Sequence, residues 1–280
     1  MIVKSLELNH FRNYESLNIA FDQGTNILYG NNAQGKTNIL EAIYLSGTTK
    51  SHKGSKDREM VQFGNEESLS RFLTAAHGKG MKVVIDTVFN HCDSKHEIFR
   101  DVERNGRNSK YYNWFLIDGD FPDPALGNYA YFADCKYMPK WNTDCPEVRR
   151  YLIDIALQSL RTGFDGLRLD VADEISHEIW RQLRREVKRE FPEALILGEI
   201  WHVNEQWLRG DQLDGVMNYK LQKILIDYFG KNPISATCAA ERMNGLLFAN
   251  TEQANAMAFN FLDNHDTPRF LRFTGGDREK

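Results

Sequence analysis

Four acids stand where chemistry could gather: Asp86, Asp170, Glu199 and Asp266. Asp86 closes the apolar run Lys82-Val83-Val84-Ile85, Asp170 closes Gly166-Leu167-Arg168-Leu169, and Glu199 closes Leu195-Ile196-Leu197-Gly198. Asp266 follows Ala256-Met257-Ala258-Phe259-Asn260-Phe261. Carboxylates at the ends of successive strands would point into one crevice. Cleaving a glycosidic bond takes two of them, one as nucleophile or base and one as acid. Like charges held close raise one pKa and keep that group protonated at neutral pH. Any one of these acids could instead cap a helix. Four together, with Arg168, His91 and His265 beside them, favour a shared site.

A second chemistry is written near the amino terminus. Asn26-Ile27-Leu28-Tyr29 reads as a strand that runs into Gly30-Asn31-Asn32-Ala33-Gln34-Gly35-Lys36-Thr37. That is the GxxxxGK[ST] phosphate loop, followed by a helix with Ile39, Leu40, Ile43 and Tyr44 on one face. Its glycines let backbone N–H groups close around phosphate oxygens. Lys36 would reach the outer phosphates of ATP, and Thr37 would hold Mg²⁺. A glycine turn that merely caps a helix is the plain alternative.

The elements that must position these groups differ in the two parts. Before residue 67, Leu6-Glu7-Leu8 and Leu17-Asn18-Ile19-Ala20-Phe21 alternate as half-buried strands do, with a turn at Asn13-Tyr14-Glu15-Ser16. From residue 68, strands and helices alternate. Leu69, Phe72, Leu73 and Ala76 share a helix face. Pro146 opens a helix, and Ile175, Ile179, Leu183, Val187 and Phe191 recur every four residues. Repeated β–α units imply a parallel sheet with polar residues at its carboxyl edge. The expected division is 1–67, a small P-loop α/β fragment, and 68–280, an α/β catalytic part.

Residues 1–66 resemble the amino terminus of RecF, the bacterial recombination ATPases. The likeness rests on Val3-Lys4-Ser5-Leu6-Glu7-Leu8, Phe11-Arg12-Asn13-Tyr14, the phosphate loop, Thr37 to Tyr44, and Lys50-Ser51-His52. Residues 69–280 resemble the α-amylase superfamily, glycoside hydrolase family 13. Its four short motifs occur in order, as Asp86-Thr87-Val88-Phe89-Asn90-His91, Gly166 to Glu174, Gly198-Glu199-Ile200-Trp201-His202, and Phe261 to Arg269. Met138-Pro139-Lys140-Trp141-Asn142 is similar to a fifth motif of the neopullulanase and cyclomaltodextrinase branch, with Trp141 where that branch usually has Leu. The chain is read as a chimera of the two.

The second resemblance implies a partial (β/α)8 TIM barrel of about five of eight strands, truncated at both ends, with an inserted loop domain after the first motif. By the same resemblance Asp170 is the nucleophile of a retaining double displacement. Glu199 is the general acid and then the base, and Asp266 stabilises the transition state. Arg168 orients the nucleophile, His91 and His265 bond the sugar, and Asp86 and Asn90 brace the site. The aromatic loop Tyr111 to Phe115, with Tyr129, Tyr131 and Phe132, would wall the cleft and stack on sugars. The implied partners are α-glucan oligosaccharides such as maltodextrin, cyclodextrin and pullulan. No cofactor and no metal is required for the hydrolysis; ATP and Mg²⁺ are the ligands of the P-loop alone.

Composition narrows the classes. The chain has 280 residues, 26% charged and 41% hydrophobic, with 35 Lys+Arg against 39 Asp+Glu. The count is seven basic against eight acidic over 1–67, and 28 against 31 over 68–280, so neither part has the surplus of a nucleic-acid binder. No apolar run reaches membrane-span length, and Cys92, Cys135, Cys145 and Cys238 show no CxxC spacing. A cytoplasmic protein with reduced thiols is expected, and oligomerisation is left open. Two other readings stay open: a RecF-like ATP-binding repair module with a passenger tail, and an inactive fusion product whose barrel is impaired by truncation.

Overall fold

The computed structural model describes residues 5–11, 14–20, 66–202, 204–230 and 233–275. The packing separates two units, Met1–Ala75 with His265–Thr267, and Ala76–Asn264 with Pro268–Lys280.

In the first unit, β1 (Ser5–Phe11) and β2 (Tyr14–Ala20) pair antiparallel, with Ser5 opposite Ala20 and Phe11 opposite Tyr14. Tyr14, Glu15 and Ser16, expected in a turn, belong to β2. Each residue added to the ladder satisfies backbone polar groups, and Tyr favours extended backbone. The expected strand Asn26–Tyr29 and phosphate loop Gly30–Thr37 lie outside the described residues. Helix α1 (Glu66–Gly78) buries Leu73 and Ala76 as its spacing predicts but leaves Phe72 exposed.

The second unit is a parallel sheet with its helices in sequence. Strands β3 (Val84–Thr87), β4 (Gly166–Leu169), β5 (Leu195–Gly198) and β6 (Gly215–Val216) are neighbours in chain order. Between β3 and β4 the chain makes a long excursion through α2 (Glu97–Asn105) and returns along α3 (Pro146–Thr162). Pro146 sits in the first turn of α3. Gly163 ends it at φ 118°, a conformation other residues resist, with its N–H on Leu160 O. Helix α4 (His177–Glu190) joins β4 to β5. Ile175 and Phe191, expected inside it, fall just outside. Ser176 caps the start through its hydroxyl, and Pro192 disfavours helical backbone at Phe191.

After β6 come α5 (Tyr219–Phe229), α6 (Ala236–Ala249), α7 (Glu252–Ala256) and α8 (Phe270–Phe273). The fifth expected strand, 256–261, is reduced to one parallel bridge, Met217 to Phe259. Its first residue is taken by α7, capped by Thr251, and the Met257 carbonyl lies where a Cβ on Gly215 would stand. Among the described residues the sheet therefore has four strands rather than about five.

The core lies between sheet and helices. Leu167, Leu169 and Ile196 point out to Phe99, Leu152, Ile179, Trp180 and Leu183, all essentially buried. The Trp180 indole N–H is satisfied by Ala172 O at 2.9 Å. Full burial of each such apolar side chain stabilises by about 1.5–3 kcal/mol. The opposite face of the sheet carries the polar residues.

Candidate active site

Strand register assembles the site. Asp86 is paired with Arg168, and Arg168 with Leu197. Side chains alternate along a strand. Asp170, two residues after Arg168, therefore shares its face, and Glu199, two after Leu197, stands level with Asp170. The ladder continues past the named strands, with Asp170 N–H on Thr87 O at 3.0 Å and Glu199 N–H on Leu169 O at 2.9 Å. Two-residue alternation and parallel pairing bring three acids from three segments to one arginine.

Arg168 is that centre. Its Nη1 donates to Asp86 Oδ1 at 2.7 Å and to Asp170 Oδ1 at 2.6 Å. Its Nη2 lies 3.0 Å from Glu199 Oε2, at ion-pair distance but without hydrogen-bond alignment. Burial opposes the guanidinium charge, and the surrounding carboxylates overcome that, so its pKa is raised further.

Glu199 is buried and heavily hydrogen-bonded. Val171 N–H donates to Oε2 at 3.1 Å, and Trp201 Nε1 and Tyr219 OH donate to Oε1 at 3.0 and 3.2 Å. Val171 adopts φ 46°, a left-handed conformation that costs a β-branched residue free energy. Its amide is the one that reaches Glu199. Asp170 and Glu199 compete for one proton. Burial pushes Asp170 up to about 6, with Arg168 opposing and Glu199 and Asp86 adding. Burial also pushes Glu199 up, but the Val171 amide, Arg168 and Trp201 outweigh it and hold Glu199 below the usual range. Burial thus favours the protonated form of Asp170, while the converging donors favour the charged form of Glu199.

Asn90 and His91 lie on the loop after β3. Asn90 Nδ2 donates to Glu174 Oε2 at 3.2 Å, and Lys140 Nζ reaches the same oxygen at 3.1 Å. His91 stacks on Phe132 at 4.7 Å and 3°. Burial lowers its pKa, with Lys140 adding and Glu174 opposing, so the ring is held neutral. Asn90 Oδ1 and His91 Nδ1 are buried without hydrogen-bond partners. Orphaned polar atoms of this kind suit a ligand that brings many hydroxyls. His265 and Asp266 belong to the first unit, where His265 Nε2 lies 3.3 Å from Asp266 Oδ2. Of the expected residues the second unit thus gathers Asp86, Arg168, Asp170 and Glu199 directly, with Asn90 and His91 on the adjoining loop.

Val171, Glu174, Lys140 and Trp201 lay within the quoted motifs without an assigned role, and Tyr219 lay outside them. Tyr219 opens α5 just after β6 and reaches Glu199 through its hydroxyl. The aromatic loop is corrected in part. Phe115 and Tyr129 are buried against Phe99, and Trp141 stacks on Phe115, so these rings form the core of the excursion and cannot stack on a ligand. At the amino ends of the strands a cavity of about 570 Å³ is lined by Lys82, Asp165, Lys188 and Asp214. Salt bridges between these groups already satisfy its charges.

Residues 40–280 match the family described as Alpha amylase, catalytic domain. The chain belongs to that family. A cyclomaltodextrinase of Geobacillus thermopakistaniensis is 46% identical over 78% of this chain and 37% of its own length. An intracellular maltogenic amylase of Bacillus subtilis is 40% identical over 92% of this chain and 46% of its own. Among solved structures, the cyclic α-maltosyl-(1→6)-maltose hydrolase of Arthrobacter globiformis superposes with a TM-score of 0.74. It is 34% identical over 77% of this chain and 49% of that one. The chain spans less than half the length of these relatives. A DNA replication and repair protein RecF of Agathobacter rectalis is 61% identical over 83 residues, 30% of this chain and 23% of its own. Similarity to a RecF protein over that stretch supports the reading of the chain as a chimera.

Proposed function

We propose that this chain hydrolyses α-glucosidic bonds in maltodextrin, cyclodextrin or pullulan-type oligosaccharides by a retaining double displacement. The observation that carries the reading is the Arg168 guanidinium, bonded to Asp86 and Asp170 and 3.0 Å from Glu199 at the carboxyl edge of the sheet. Sharing one guanidinium holds two carboxyls within reach of a single glycosidic bond.

In the first step an Asp170 carboxylate oxygen attacks the anomeric carbon. The glycosidic C–O bond breaks, and Glu199 gives its proton to the departing oxygen. In the second step Glu199 takes a proton from water, the hydroxide oxygen bonds to the anomeric carbon, and Asp170 leaves. The resting donors hold Glu199 as the carboxylate, the form the second step uses. The first step uses the protonated form, so Glu199 takes up a proton before the glycosidic bond breaks. Asp266 steadies the oxocarbenium-like transition state, and His91, His265 and Asn90 bond sugar hydroxyls. The two carboxylates supply the whole reaction, so no cofactor is required.

We divide the chain functionally at 1–67 and 68–280. For the first part, similarity to RecF supports a phosphate site at Gly30–Thr37 for ATP with Mg²⁺. It lies outside the described residues and rests on sequence alone. Four free cysteines support a reducing, cytoplasmic setting for the whole; no described helix is long and apolar enough to cross a membrane.

The test is release of reducing sugar from cyclodextrin, pullulan or maltodextrin by purified chain. Asp170→Asn should abolish it. Glu199→Gln should abolish it on natural substrates yet spare glucosyl fluoride, whose leaving group needs no proton. Equal activity in either variant on maltodextrin would end the reading.

A further inference from the structure

Beside Glu199 stands Tyr219, the first residue of α5, which the double displacement leaves unused. Tyr219 is buried, and its hydroxyl donates to Glu199 Oε1 at 3.2 Å. Asn264 Nδ2 donates to the same hydroxyl at 2.8 Å. An amide N–H₂ can only donate, so the phenol oxygen accepts from Asn264, which leaves its own hydrogen to point at Glu199. The Trp201 ring stacks on Tyr219 at 4.0 Å and 16°, while its indole N–H meets the same carboxyl oxygen.

We propose that Tyr219, oriented by Asn264, is a positioning residue for Glu199. The assignment rests on Glu199 being the acid and base, as above. The Val171 amide and the Trp201 indole are fixed N–H donors that cannot accept, so they favour the carboxylate. A phenol hydroxyl rotates about its C–O bond. It can donate to Glu199 as a carboxylate and accept from Glu199 as an acid. At 3.2 Å the hydroxyl is within reach of Oε1 in either sense. Tyr219 thus keeps the side chain aimed in both halves of the cycle.

Other charged groups face Glu199 and must be held constant in any test. They are Arg168, Asp170 and Asp173 from β4 and the turn after it, with Asp86 of β3 acting through Arg168. Removing the Tyr219 hydroxyl leaves all of them in place and takes one donor from the carboxylate. The sign is therefore upward for the Glu199 titration.

The experiment follows the Glu199 carboxyl by ¹³C NMR across pH in the full chain, beside kcat and KM on maltodextrin. Tyr219→Phe should raise the Glu199 midpoint by roughly half to one pH unit. It should move the alkaline limb of the rate profile the same way and lower kcat about tenfold, with KM little changed. Asn264→Ala should shift the midpoint in the same direction by less, and the double variant should add little to Tyr219→Phe. Should Tyr219→Phe fail to fold, the milder Asn264→Ala decides alone. An unmoved Glu199 midpoint, or a raised KM at unchanged kcat, would overturn the proposal. Absence of cleavage in the unaltered chain would instead defeat the hydrolase reading, and the titration would still judge Tyr219.

Discussion

Replacing Asp170 by Asn should make the chain more stable while destroying its activity. Asp170 is held at about 6, chiefly because burial disfavours its charge. An ordinary aspartate sits near 3.8. At about 1.36 kcal/mol per pH unit, that gap sets an upper bound of about 3 kcal/mol on the cost of the charge at pH 8. The side chain keeps 21% of its surface exposed to the open face and shares its titration with Glu199. Solvent screening reduces the figure to about 1–2 kcal/mol. A raised acid pKa means that the folded chain holds the proton between about pH 4 and 6 while the unfolded chain has lost it. This contribution to stability is full below about pH 4 and is lost as pH rises through 6. The amide that replaces the carboxyl in Asp170→Asn has no charge to desolvate, and its oxygen could still accept from Arg168. Thermal melts at pH 8 should therefore rise by about 2–8 °C in Asp170→Asn, and the difference should vanish near pH 4. An equal loss of Tm at both pH values would refute the argument.

Arg168→Met should cost about 3–5 kcal/mol at pH 7, because it strands buried carboxylates, and urea unfolding measures this; at pH 4 the loss should shrink. Gly215→Ala should be among the most damaging small changes, since its Cβ would stand 2.1 Å from the Met257 carbonyl oxygen. Loss of about 2–4 kcal/mol in the same assay is expected, as for other overpacked sites. Asp165 is pushed up by burial but held down at about 2 by Lys82, the Val83 amide and His77. Its contribution is present above the ordinary carboxylate range and lost as pH falls from about 4 to 2. Acid titration of the near-ultraviolet circular dichroism should show that loss, and Asp165→Asn should flatten it.

The amino-acid order alone determined which residues could do chemistry here. Asp170 follows Arg168 by two, so alternation puts them on one face of any strand that contains them. Glu199 closes an apolar run of the same kind, and the parallel sheet follows from repeated strand–helix units. Local chemistry also set the helix ends, through Pro146, Gly163 and Ser176. Tertiary structure decided how far each element runs and which partners meet. The strand expected at 256–261 yields to a capped helix and a single bridge, with the Met257 carbonyl close beside Gly215. Pairing recruits Tyr14 into β2, where composition suggested a turn. The donors on Glu199 come from Val171, Trp201 and Tyr219, and their meeting depends on the register of β4, β5 and β6. The opposite shifts of Asp170 and Glu199 are likewise a property of burial and of converging donors. A linear sequence names the two acids but cannot say which of them the folded chain will keep charged.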